Sequence, residues 1–243
     1  MKKVMQVQEL SRLELLVGEE KVQKLREKTV LILGLGGVGG YVLEMLARSG
    51  IGKFIIVDGD IVDRSNINRQ IIALENTIGE DKVKMWKNRI QDILPSTKVI
   101  AIKETITEEN IHTIFEYPID YAIDACDTVT TKFAFLKYCI KKQIPFLTCL
   151  GTGKRIDPSK LVITDLSKTE YDPLAKILRK KVKDEKIKEK IPVVFSREIP
   201  KKIEGKTIAS SAFVPSSAGI LAASYVFQKL LEENKIGRID VKK

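Results

Sequence analysis

Apolar residues occupy consecutive positions through Thr29–Leu33 and then recur at helical spacing from about Val38 to Ser49. This exchange of rhythms repeats down the first two-thirds of the chain. A short unbroken apolar run suits a strand buried on both faces, whereas a 3.6-residue recurrence suits a helix lying over it. The reading predicts a helix over Ser11–Arg26, carried by Leu13, Leu16, Val17, Val22 and Leu25. Strands are expected at Thr29–Leu33, Lys53–Asp58, Lys98–Lys103, Tyr121–Asp124 and Pro145–Cys149. Helices are expected between them, from Val38 to Ser49 with Gly50 as a left-handed cap, over Lys82–Leu94 before Pro95, over Glu108–Phe115 and over Thr130–Lys142.

Strand–helix alternation of this kind builds an α/β fold, a Rossmann-like doubly wound and mainly parallel sheet. After Gly153 the rhythm changes. Strands are predicted at Leu161–Asp165 and Pro192–Ser196, with a charged helix, Pro173–Lys188, between them and no evident βαβ unit. The sheet is therefore expected to continue with antiparallel strands, and a final helix covers Ser216–Glu233. With no repeat or low-complexity linker, residues 1–243 read as a single domain. Residues 11–153 form its nucleotide-binding part and 154–243 a C-terminal part with a basic insertion at about 167–210.

Composition narrows the picture. The 243 residues are 44% hydrophobic and 30% charged, as in ordinary globular proteins. No window approaches the roughly 20 apolar residues that span a bilayer, and the basic N-terminus Met1–Gln6 lacks the apolar run of a signal peptide. A cytoplasmic protein with no membrane association is expected. Three cysteines, Cys126, Cys139 and Cys149, are too scattered for a disulfide framework and read as buried small hydrophobes. The single histidine, His112, falls in a short surface helix and is given no role. The formal charge is +10, and Lys176–Lys206 holds 12 basic against 5 acidic residues, 12 − 5 = 7 of that excess. Such a run is either a solvated helical face or a surface for nucleic-acid phosphates.

Gly34, Gly36 and Gly39 satisfy G-x-G-x-x-G between a predicted strand and a predicted helix. The spacing provides a tight turn, a close backbone approach to ligand, and close packing of helix on sheet. Asp58 ends the next strand, where an acid takes ribose hydroxyls. Up to here a dinucleotide-dependent dehydrogenase fits equally. Ser65-Asn66-Ile67-Asn68-Arg69-Gln70 and Lys82 do not suit hydride transfer. They supply amides and cations of the kind a triphosphate needs as charge builds on departing pyrophosphate. Asp124 and Asp127 close the fourth strand at the crevice, and Asp127 could hold Mg²⁺ or cap the following helix.

These residues together, Gly34-x-Gly-Gly-Val-Gly, Asp58-x-Asp60, Ser65-Asn66-x-Asn68-Arg69-Gln70, Lys82 and Asp124-x-x-Asp127, resemble the ubiquitin-activating-enzyme-like adenylyltransferases. The resemblance implies ATP and Mg²⁺ as cofactors and a reaction in which a carboxylate attacks the α-phosphate. It implies that Gly34, Gly36, Gly37, Gly39, Asp58, Asp60, Asn66, Asn68, Arg69, Gln70, Lys82, Asp124 and Asp127 bind the nucleotide, with Asp127 on the metal. Arg69, Lys82 and Asp127 would be catalytic, together with Arg12, which matches the arginine that family homodimers insert into the partner's site.

The second half, with Gly151-Thr152-Gly153-Lys154-Arg155-Ile156-Asp157-Pro158, Val162–Thr169, Asp172–Arg179 and Ser211–Ser216, resembles the branch that dehydrates threonylcarbamoyladenosine in tRNA. That implies a tRNA bearing the modified nucleoside as partner. The basic segment then gains a reason to contact RNA. Three rivals stay open: activation of the C-terminal glycine of a ubiquitin-like sulfur carrier, a nucleotide-binding scaffold without turnover, and a dehydrogenase, which NAD binding in place of ATP binding would reveal. The paired Cys-x-x-Cys motifs of many carrier activators are missing. Val193–Ser196 and Ile208–Ser211 hold no cysteine, so no persulfide-transfer partner is expected.

Overall fold

The computed structural model describes residues 9–204 and 208–232. The expected N-terminal Met1–Gln6, Lys206 at the end of the basic segment and Glu233 at the end of the last helix lie outside them. Strands β1 (Thr29–Leu33), β2 (Lys53–Val57), β3 (Lys98–Ile102), β4 (Tyr121–Asp124), β5 (Phe146–Cys149), β6 (Leu161–Asp165) and β7 (Pro192–Ser196) form one sheet in the order β3-β2-β1-β4-β5-β7-β6. All neighbouring strands are parallel except β6 and β7. The apolar run of β1 is buried at every position, as a central strand covered on both faces requires.

Helices α3 (Gly39–Arg48), α4 (Lys82–Ile93) and α7 (Phe213–Leu231) lie against one face. There Leu43, Leu46, Phe54, Trp86 and Ile90 are fully buried. The other face is covered by α5 (Val129–Lys142) and α6 (Pro173–Asp184) over Leu31, Ile55, Phe135, Leu136 and Leu178. Among the described residues no helix is long and apolar enough to cross a membrane.

Three expectations change. The single N-terminal helix is two, α1 (Ser11–Val17) and α2 (Glu19–Arg26), parted at Gly18, whose φ of 94° no helical residue adopts. The short helix expected at Glu108–Phe115 is a 3₁₀ segment, Ile111–Phe115. The segment read from its charge as an insertion also supplies structure to the sheet. β7 pairs in parallel with β5, completing a crossover through α6, and β6 is laid outside it at the edge. Charge hid this because α6 keeps Lys176, Lys180 and Lys183 in solvent while Ala175 and Leu178 are buried.

Candidate active site

The sheet order reverses between β1 and β4, and ligands of open α/β sheets bind outside the strand ends at such a point. A cavity of about 1220 Å³ opens there, lined by the glycine turn, by the strand ends at Asp58 and Asp127, and by parts of the C-terminal segment.

The turn from β1 into α3 is built from glycine for steric reasons. Gly34 has a φ of 87°, and a Cβ there would lie 2.8 Å from the Cys126 amide nitrogen. A Cβ on Gly39 would lie 1.8 Å from the Gly34 carbonyl oxygen, so α3 can begin this close to the strand only without a side chain. Gly34, Gly36 and Gly37 line the cavity, and Gly39 acts behind it by packing. The free amides at the start of α3 favour an anion.

Asp58 directly follows β2, its side chain nearly buried. It accepts hydrogen bonds from the Leu35 amide at 2.7 Å and the Asp60 amide at 2.9 Å. Burial pushes its carboxyl above the ordinary aspartate range, with Lys82 and the two amides opposing the rise. Lys82, at the first turn of α4, is buried and stands 3.8 Å from Asp58 and 2.7 Å from Asp60. Asp60 is exposed, so its ion pair with Lys82 can be given up to phosphate at small cost.

Arg69 stands over Gly37, its Cγ 3.2 Å from where a Cβ would be, which brings the side chain to the turn. The guanidinium donates to the Ser65 carbonyl and to Asn68 Oδ1, both at 2.8 Å. Asn68 in turn donates to the Ser210 carbonyl at 3.0 Å, tying this loop to the C-terminal segment. Asn68 does not itself line the cavity. Asn66 does, and its Oδ1 accepts from the Asp63 amide to close the 3₁₀ turn Arg64–Asn66. Gln70 lines the wall, buried, with Oε1 lacking a hydrogen-bond partner among the described residues. Such an oxygen is satisfied when water or a ligand donor reaches it.

The two acids after β4 separate. Asp127 is exposed at the cavity, with the Thr128 hydroxyl 3.5 Å away. Asp124, expected among the nucleotide ligands, is fully buried and turned inward. Its Oδ2 accepts from Lys132 at 2.9 Å and its Oδ1 from the Cys126 amide at 3.0 Å. Lys132, also fully buried, donates to the Cys149 carbonyl at 2.6 Å. Burial, which alone would push the Lys132 ammonium down, is outweighed by Asp124, so its pKa is held above the usual lysine value. Asp124 thus holds the strand ends and the loop carrying Asp127.

Arg12 is exposed on α1 and does not line the cavity of its own chain. Among the described residues no cluster of three or more His, Cys, Asp or Glu could hold a metal by itself. A lone cavity carboxylate such as Asp127 could hold Mg²⁺ only with waters and phosphate oxygens as the other ligands. Burial pushes the Cys149 thiol up to about 12, and Cys126 and Cys139 are likewise pushed up.

A profile of the ThiF family matches residues 10–236. The chain belongs to the ThiF family. A Bacillus subtilis protein named tRNA threonylcarbamoyladenosine dehydratase is 42% identical over 95% of this chain and 98% of its own length. The Escherichia coli protein of that name is 32% identical over 89% of this chain and 91% of its own. The crystal structure of the E. coli dehydratase in complex with ATP has a TM-score of 0.86 at 33% identity, covering 92% of this chain and 93% of that one.

In this ThiF-family site Arg155, which lies in the dehydratase-like run Gly151–Pro158 but has no role assigned there, has a structural part to play. It is buried in the cavity wall and donates to the carbonyls of Gly151, Glu198 and Tyr171, with Asp172 at 3.6 Å. One side chain thereby joins the loop after β5, the start of α6 and the segment after β7. Its signal was weak, because an arginine in a polar loop reads as a surface residue until its carbonyl partners converge.

Proposed function

We propose that this protein is an ATP-dependent tRNA threonylcarbamoyladenosine dehydratase. The observation that carries the reading is the full-length match to dehydratases, which extends beyond the nucleotide turn through the segments that build the rest of the cavity. ATP lies along the glycine turn with its ribose hydroxyls on Asp58. Arg69 and Lys82 hold the phosphates, Lys82 exchanging Asp60 for a phosphate oxygen. Asp127 is the residue that would hold Mg²⁺, which neutralises phosphate charge when bound.

The threonyl carboxylate oxygen bonds to the α-phosphorus, and the bond to pyrophosphate breaks. Arg69 and Lys82 stabilise the charge that collects on the leaving oxygens. A nitrogen or oxygen within the same modified base then attacks the activated carbonyl. A ring closes, the carbonyl–oxygen bond to AMP breaks, and one proton is lost. The net change in the nucleoside is loss of water. No thiol is needed, in keeping with three cysteines whose burial disfavours thiolate.

Arg12 reaches the site of a second copy, so the working form is a homodimer, and the protein acts in the cytoplasm. The test is AMP and pyrophosphate formation with purified modified tRNA, together with mass analysis of its nucleosides. Turnover that leaves the nucleoside 18 mass units lighter is expected, a figure of about one water. Arg69→Ala and Asp127→Ala should each lose about 10²-fold or more while the fold persists. Pyrophosphate exchange driven by a ubiquitin-like carrier, with no response to modified tRNA, would overturn the assignment.

A further inference from the structure

The cavity is larger than its nucleotide. About 1220 Å³ exceeds the roughly 300–1,000 Å³ of a pocket for one small ligand. Its lining extends beyond the glycine turn to the loop after β5 and the segment after β7. Lys154, Lys201 and Lys202 line it there.

This region is built rather than merely charged. Lys154 has a φ of 60°, a conformation that costs a lysine energy and is retained where surrounding structure enforces it. The enforcing contacts are visible. Its amide donates to the Ala209 carbonyl at 2.7 Å, and its carbonyl accepts from the Lys201 amide at 2.8 Å. The ammonium donates to the Ile203 carbonyl at 3.3 Å. Arg155 clamps the base of the same loop, and Asp172 Oδ2, buried in the wall, has no hydrogen-bond partner among the described residues. The result sets Lys154 and Lys201 on hydrogen-bonded neighbouring backbones, with Lys202 next in sequence.

Resting on the dehydratase reading, we propose that Lys154, Lys201 and Lys202 form a clamp for the RNA phosphates flanking the modified nucleoside. The reacting carboxylate must approach the α-phosphate from the side away from pyrophosphate, so whatever carries it must share the cavity with the nucleotide, and these lysines line that cavity. Three ammonium groups suit a carrier that is a polyanion. The extended C-terminal tail of a protein would ask for backbone hydrogen-bonding groups instead.

The clamp is tested with full-length modified tRNA and with an anticodon stem-loop carrying the modification. The variant Lys154→Gln/Lys201→Gln/Lys202→Gln is compared with a charge-matched control at the far ends of the strands, Lys98→Gln/Lys141→Gln/Lys142→Gln. The clamp variant is expected to keep ATP affinity within about two-fold and to lose about ten-fold or more in kcat/KM on both RNAs. Its salt dependence of RNA binding should be shallower by about 2 in log–log slope, while the control matches wild type. Lys154→Gly, which relieves the backbone strain while removing the ammonium, should lose activity on the stem-loop without loss of thermal stability. Wild-type turnover accompanied by an undiminished clamp variant on the stem-loop overturns the clamp alone. Wild-type protein inert on modified tRNA but active with a ubiquitin-like carrier overturns the functional reading and the clamp with it.

Discussion

Asp58 and Asp124 are two strand-end carboxylates with opposite fates, and neighbours rather than residue type decide between them. Asp58 faces the cavity and is held by two amides, so its free lone pairs can accept from ribose. Because burial raises its pKa, protonation sets in at a higher pH than for an ordinary aspartate. A protonated carboxyl accepts ribose hydroxyls less well, so ATP affinity should fall on acidification before ordinary carboxylates titrate. The raised value also means that this group favours the fold below its unfolded pKa and loses that contribution as pH rises through the folded one. Nucleotide weakening at acid pH is therefore not Asp58-driven unfolding. Calorimetric ATP titrations across pH should show the acid limb in wild type, and Asp58→Asn should bind weakly with that limb gone. Asp124 is committed to Lys132 instead. Lys132→Met strands a buried carboxylate and should cost about 3–5 kcal/mol in chemical denaturation. Asp124→Asn/Lys132→Met should recover most of that. Equal losses in the single and double variants would show that the ion pair is not the source.

At the scale of elements, much of the nucleotide half is legible in sequence because its signals are local. A strand followed by Gly34-x-Gly36 and a helix can be read within one window, and Asp58 follows from the end of the next apolar run. What sequence concealed depends on contacts between windows. The inward turn of Asp124 requires α5 to bring Lys132 beneath β4. The place of β7 beside β5 requires β6 to be carried to the sheet edge, which alternation along the chain does not encode. Gly18 marks the break, and the spacing records it too, since at 3.6 residues per turn Val22 and Leu25 would fall on the opposite side of a continuous helix from Leu13, Leu16 and Val17. The break has a consequence. α1 contains no buried residue, and it leaves Leu15 89% and Leu16 80% exposed beside Arg12. Two adjacent leucines in solvent on one short helix are consistent with a contact to another copy. Leu15→Asp/Leu16→Asp is expected to give a monomer by light scattering. It should retain folded circular dichroism and lose adenylation through loss of the partner's Arg12. A dimer of normal activity in that variant would remove both the interface and the arginine's role.

For the whole molecule, two groups of lysines differ in their placement. Lys154, Lys201 and Lys202 lie in the cavity, whereas Lys176, Lys180 and Lys183 are exposed on α6, outside it. The α6 charges are screened by solvent over about 8 Å at physiological ionic strength, a reach sufficient for an RNA backbone lying on the helix. Binding that rests on such contacts releases counterions, so affinity falls steeply with salt, by somewhat less than one unit of log–log slope per phosphate contacted. Lys176→Glu/Lys180→Glu/Lys183→Glu should therefore weaken tRNA binding at low salt and flatten its salt dependence, with the difference from wild type shrinking as salt rises. ATP affinity should be unchanged, since no α6 lysine lines the cavity. Filter binding of tRNA over a salt series, with ATP calorimetry beside it, checks both halves of the expectation. An unaltered tRNA affinity would make α6 a solvated face and leave the cavity lysines as the RNA contact.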